Sequence, residues 1–124
     1  MSKTILVVDD SATMVKSLEA SLKLAGFEVA TAINGQQALA LLEGGLRPDL
    51  ILTDIHMPEM DGLTFIRAAR KLLRFTPILA LSNADRPAQR IEARQGGATG
   101  WLKKPVGGTE LIQLIQQFVG EPTP

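Results

Sequence analysis

The sequence predicts an α/β fold, a five-stranded parallel sheet wound on both faces by five helices, and three observations carry that expectation. Short apolar runs alternate with helix-like segments five times along the chain. The runs are continuous rather than alternating, as in strands buried on both faces. Polar and charged residues gather at or just beyond the ends of four of the runs, where doubly wound sheets place their ligand sites. Right-handed crossovers between parallel strands restrict the layout to a doubly wound one.

Taken in order, Thr4–Val8 is a β-branched, uninterrupted strand. Ser11–Ala25 carries Met14, Leu18, Leu22 and Ala25 at helical spacing and stops at Gly26 as a C-cap. Val29–Ile33 is the second strand. Asn34-Gly35 opens a helix with Ala38, Leu41 and Leu42 on one face, closed by Gly44-Gly45. Asp49–Thr53 is the third strand, entered through Pro48, and Asp54–Gly62 is a loop of breakers that includes Pro58 and Asp61-Gly62. Leu63–Leu73 is the third helix and Pro77–Leu81 the fourth strand. Arg86–Gln95 is a helix with few apolar anchors, ended by Gly96-Gly97. Gly100–Leu102 is a short fifth strand. Thr109–Val119 is the clearest helix, with Leu111, Leu114, Ile115 and Phe118 on one side.

One domain accounts for the 124 residues: 1–120 as the folded unit and 121–124 as a short flexible tail. Thirteen basic residues balance thirteen acidic ones, so bulk charge draws the chain toward neither nucleic acid nor anionic lipid. Without cysteine there are no disulfides or thiolate metal sites, and one histidine excludes a multi-histidine metal site within the chain. No signal-peptide core and no membrane-length apolar stretch is present, so a cytoplasmic protein without membrane insertion is expected.

The chemistry sits at the sheet edge. Asp9-Asp10 follows the first strand, Asp54 the third, Ser82 the fourth and Lys104 the fifth. If the first and third strands are neighbours, as in a flavodoxin-like order, three carboxylates crowd one place. They would repel or take up protons unless a divalent cation balanced them. Oxygen-only ligands with room for water suit Mg2+. The plainer reading of Asp9 and Asp10 is capping of the next helix; a third aspartate opposite them favours the metal. A carboxylate can also act as a nucleophile and carry a phosphoryl group. Lys104 could pair with that group and Ser82 hydrogen-bond it. Singly, they read as a surface lysine and a turn residue.

Three segments together resemble the receiver domain of bacterial two-component response regulators, of the single-domain chemotaxis (CheY-like) kind. They are Ile5-Leu6-Val7-Val8-Asp9-Asp10, the run Asp54-Ile55-His56-Met57-Pro58-Glu59-Met60-Asp61-Gly62, and Gly97-Ala98-Thr99-Gly100-Trp101-Leu102-Lys103-Lys104-Pro105. The resemblance spans nearly the whole chain and implies the strand order 2-1-3-4-5. It implies that Asp54 accepts a phosphoryl group from a sensor histidine kinase (CheA-like), with Ser82 and Lys104 completing the phosphoryl site. It implies Mg2+ held directly by Asp10 and Asp54 and by the backbone carbonyl of His56, with Asp9 assisting through water. Ser82 and Trp101 would be the switch residues that remodel the surface of the fourth helix, fifth strand and fifth helix. The output would be a monomer that binds a downstream target, such as the flagellar motor switch, or serves as a phosphate sink.

Three positions depart from the commonest pattern. Trp101 stands where tyrosine or phenylalanine is usual, and reads equally as a switch or as a packed or partner-facing anchor. Asn83 replaces a small residue beside Ser82, and His56 either orients a hydrolytic water or sits in solvent. A small-molecule phosphatase or phosphotransferase would share the nucleophile and metal, but His56 stands where such enzymes keep a second aspartate. A pseudo-receiver that never carries phosphate is opposed by the intact set of Asp9, Asp10, Asp54, Ser82 and Lys104. The start at Met1 and the short tail favour a stand-alone receiver over an excised one.

Overall fold

The structure, a computed structural model, describes residues 3–57, 60–83 and 86–120. Pro58 in the breaker-rich loop and the expected tail at 121–124 lie outside the described residues. The described residues form β1 (Thr4–Val8), α1 (Ala12–Leu24), β2 (Glu28–Ala32), α2 (Gly35–Glu43), β3 (Leu50–Asp54), α3 (Gly62–Leu72), β4 (Ile78–Ser82), α4 (Pro87–Gly96), β5 (Gly100–Lys103) and α5 (Gly108–Val119). All strand pairs are parallel, in the order β2-β1-β3-β4-β5. The expected α/β fold is therefore what the chain adopts.

Strand side chains alternate between two cores. Leu6, Val8, Ile51, Ile78 and Ala80 meet Ala38 and Leu42 of α2, Phe65, Ile66 and Ala69 of α3, and Ala93 of α4. Ile5, Val7, Leu50, Leu52, Leu79 and Leu81 meet Val15, Leu18 and Leu22 of α1 and Leu111 and Ile115 of α5. Burying each such Leu, Ile or Phe contributes about 1.5–3 kcal/mol. That two-sided burial explains why the strands read as continuous apolar runs.

Boundaries differ from the sequence reading by a residue, for reasons of pairing. Glu28 belongs to β2 because its N–H donates to the Lys3 carbonyl (2.9 Å) and it stands opposite Thr4. Asp54 and Ser82 end their strands rather than follow them, because Asp54 registers with Leu81 and Ser82 with Lys103. Ser11 is the N-cap of α1, accepting from the Met14 N–H (3.3 Å), and Asn34 caps α2 the same way from Gln37 (2.7 Å). At the end of α1 the C-cap is Ala25, and Gly26 follows at positive φ, which is the conformation a side chain would resist.

Candidate functional site

Consecutive strands of the sheet deliver the polar residues to one edge. Asp9 leaves β1, Asp54 ends β3, Ser82 ends β4 and Lys104 follows β5. The crossing from β1 to its two neighbours β2 and β3 is the topological switch point, where loops diverge and leave a crevice. One ligand atom from each of Asp9, Asp10 and Asp54 lies within 4.8 Å of the others. The structure thus brings together the three carboxylates expected from the sequence.

Their environments differ. Asp9 is fully buried, Asp54 is 5% exposed and Asp10 faces solvent. Asp9 uses both oxygens: Oδ1 accepts from the Ser11 N–H (3.0 Å) and Oδ2 from Lys104 Nζ (3.0 Å). The same ammonium lies 3.2 Å from Asp54 Oδ1, so Lys104 bridges two carboxylates from a strand end across the site. Burial, and then the negative charge of Asp9, raise the Asp54 pKa against the opposing pull of Lys104. For Lys104, burial disfavours the charged form, but its hydrogen bonds and charge pairing with Asp9 and Asp54 outweigh that and raise its pKa. One lysine therefore leaves the carboxylate cluster short of positive charge. An all-oxygen donor set with one exposed and two buried carboxylates fits Mg2+.

Ser82 is fully buried at the end of β4, one step beyond the residue paired with Asp54. His56 and Asn83 are exposed, and so is Lys103, in contrast to Lys104. Trp101 is half-buried and packs against the α2–α3–α4 core, while its buried indole N–H has no acceptor among the described residues. Met57, Met60 and Phe65 pack in that same core.

Two supports escaped the sequence reading. Thr53 is wholly buried and its hydroxyl donates to the Asp54 carbonyl (3.0 Å). Gly62 donates its N–H to the Ile55 carbonyl (2.8 Å), and a Cβ there would lie 2.2 Å from the Asp54 carbonyl oxygen. Asp61-Gly62 does cap α3, with Asp61 accepting from the Thr64 N–H (2.8 Å). Yet glycine at 62 also lets α3 begin directly against the strand carrying Asp54. Only Ala93 of α4 is buried, and Arg70 reaches from α3 to hold its end, donating to the Gly97 carbonyl (3.0 and 2.7 Å).

Residues 5–116 match the response regulator receiver domain family. The chain is 38% identical over 118 residues to the transcriptional regulatory protein PrrA of Mycobacterium tuberculosis, covering 95% of this chain and 50% of that protein. It spans about half the length of such curated relatives. Among solved structures it is similar to the chemotaxis response regulator CheY4 of Vibrio cholerae, with a TM-score of 0.87, 38% identity, and coverage of 95% of this chain and 99% of that one. It is also similar to the receiver domain of a Pseudomonas aeruginosa sensor histidine kinase whose active site cleft holds a magnesium ion. There the TM-score is 0.87 at 31% identity, over 97% of this chain and 99% of that one. No helix among the described residues is long and apolar enough to cross a membrane.

Proposed function

The chain belongs to the response regulator receiver domain family, and on that premise we propose that it is a phosphorylation-activated switch whose phosphoacceptor is Asp54. The observation that carries this reading is the convergence of Asp9, Asp10, Asp54 and Lys104 from separate loops and strand ends on one charge-imbalanced cleft. We take residues 1–120 as the receiver unit, with 121–124 outside it.

In this reading an Asp54 carboxylate oxygen attacks the phosphorus of a kinase phosphohistidine. A P–O bond forms as the P–N bond breaks, and the imidazole leaves. Asp10, Asp54 and the His56 backbone carbonyl would hold Mg2+, and Asp9, whose oxygens are already engaged, would act through water. When bound, Mg2+ supplies charge stabilisation for the phosphoryl oxygens. Lys104 is poised to transfer its ammonium from the carboxylates to the new dianion, and Ser82 to donate its hydroxyl. Those rewards favour whichever conformation brings both groups closest. Trp101, whose indole donor has no acceptor among the described residues, and α4, with a single buried side chain, are the parts that can shift at small cost.

The similarity to a chemotaxis regulator supports a chemotaxis-type kinase as phosphodonor and a motor-switch protein as downstream target. The test is phosphotransfer from a purified, autophosphorylated chemotaxis-type kinase. Label should pass to the wild type in the presence of Mg2+ and be absent from Asp54→Asn. Equal labelling of the variant would remove Asp54 from its role, and faster labelling by a kinase of another signalling class would remove the chemotaxis assignment.

A further inference from the structure

Among the described residues β5 is an edge strand, paired with β4 alone. The Lys104 N–H points inward to the Ser82 carbonyl (2.6 Å). By the alternation of a strand, the backbone groups of Trp101 and Lys103 therefore face the open edge. A groove lies on each side of that edge. One, of about 490 Å³, runs between β5 and α4 and is lined by Pro87, Arg90, Ile91, Arg94, Ala98 and Trp101. The other, of about 240 Å³, lies between β5 and α5 and includes Leu102, Val106, Leu111 and Leu114. Trp101 and Leu102 belong to the cores on opposite faces of the sheet, so the two grooves straddle one strand.

The two sides differ in charge. Nine of the chain's thirteen lysines and arginines fall within residues 63–104, against two of its thirteen acidic residues, so the neutral total hides a basic stretch. Arg90 and Arg94, one helical turn apart, place that charge along the α4 groove, while the α5 groove is mainly aliphatic.

We infer that the β5 edge takes up an extended segment of a partner protein as an added strand, with acidic side chains over α4 and apolar ones over α5. Backbone pairing with Trp101 and Lys103 supplies affinity, and the unlike grooves read alternate side chains. A second copy of this chain is a poorer occupant: antiparallel pairing of two β5 edges would set Arg90 and Arg94 against their own equivalents. The inference rests on the proposed use of the α4–β5–α5 side for output and adds how a partner binds there and with what chemistry.

The test is titration of the isotope-labelled, unphosphorylated chain with a synthetic peptide of alternating valine and aspartate, followed by NMR. Saturable shifts and slowed exchange at the Trp101 and Lys103 amides are expected. N-methylating the aspartates or the valines should abolish binding in one case only, because a strand offers one edge to β5. Arg90→Glu with Arg94→Glu should weaken binding about tenfold, and a valine–lysine peptide should not bind. Silent β5 amides, equal binding of both N-methylated peptides, or equal binding of the lysine peptide would overturn the inference. Concentration-dependent shifts at β5 without peptide would overturn it in favour of a second copy. Because no phosphoryl group is used, failure here leaves the phosphotransfer result for Asp54 standing.

Discussion

Adding one methyl group at Gly62 is the sharpest test of how the cleft is built. A Cβ there would lie 2.2 Å from the Asp54 carbonyl oxygen and 2.6 Å from Ile55 Cα, both backbone atoms that cannot swing aside as a side chain could. Ordinary contact requires the end of β3 and the start of α3 to separate by about 1 Å. That movement stretches the Gly62 N–H to Ile55 bond, now 2.8 Å, and carries the Asp54 carboxylate with it. Such overpacking costs about 1–3 kcal/mol, which in a domain of this size lowers Tm by roughly 4–12 °C. A displacement of about 1 Å at a reacting group can reduce rate about 100-fold. Gly62→Ala should therefore lose both thermal stability and Mg2+-dependent phosphorylation, measured by calorimetry and by the rate of phosphoryl incorporation. An unchanged Tm together with an unchanged rate would show that the close approach at Gly62 does not set the position of Asp54.

The other predictions concern charge. In metal-free buffer Asp54→Asn should raise stability at neutral pH by on the order of 1 kcal/mol. The reason is that burial and Asp9 hold the Asp54 pKa above its unfolded value, so its ionised form costs stability once pH exceeds both values. The gain should vanish as pH falls below the unfolded carboxylate range; thermal melts at a series of pH values decide, and a pH-independent gain would contradict it. Lys104→Ala should destabilise by about 3 kcal/mol, because fully buried Asp9 then loses its cation. Since Lys104's pKa is raised, its contribution is complete below the ordinary lysine value and is lost as pH rises through the folded one, so chemical unfolding of the two proteins should converge in strong alkali. Mg2+ at about ten times its Kd should stabilise the wild type by about 1.4 kcal/mol, and this increment should disappear in Asp10→Ala.

The fold was legible because the three central strands β1, β3 and β4 are buried on both faces, which writes Ile5–Val8, Leu50–Leu52 and Ile78–Leu81 as unbroken apolar runs. The positions of Asp9, Asp10, Asp54, Ser82 and Lys104 at strand ends were legible for the same reason, since a run has a visible end. What the sequence does not carry is pairing across the sheet. That Lys104 sits on Asp9, ninety-five residues away, depends on β1, β3, β4 and β5 lying side by side. Whether Asp54 ends its strand or follows it depends on its register with Leu81. Gly62 looks like an ordinary turn glycine until α3 is seen against the backbone of Asp54 and Ile55. The basic stretch 63–104 can be counted in the sequence, but only the placing of α4 beside the β5 edge gives Arg90 and Arg94 a groove in common with Trp101.

The most direct measurement is the intact mass of the wild type and Asp54→Asn after incubation with acetyl phosphate, with and without Mg2+. One phosphoryl adduct that requires Mg2+ is expected on the wild type and none on the variant. An adduct of equal yield on Asp54→Asn, or no adduct on the wild type from either acetyl phosphate or a phosphorylated kinase, would contradict the role of Asp54.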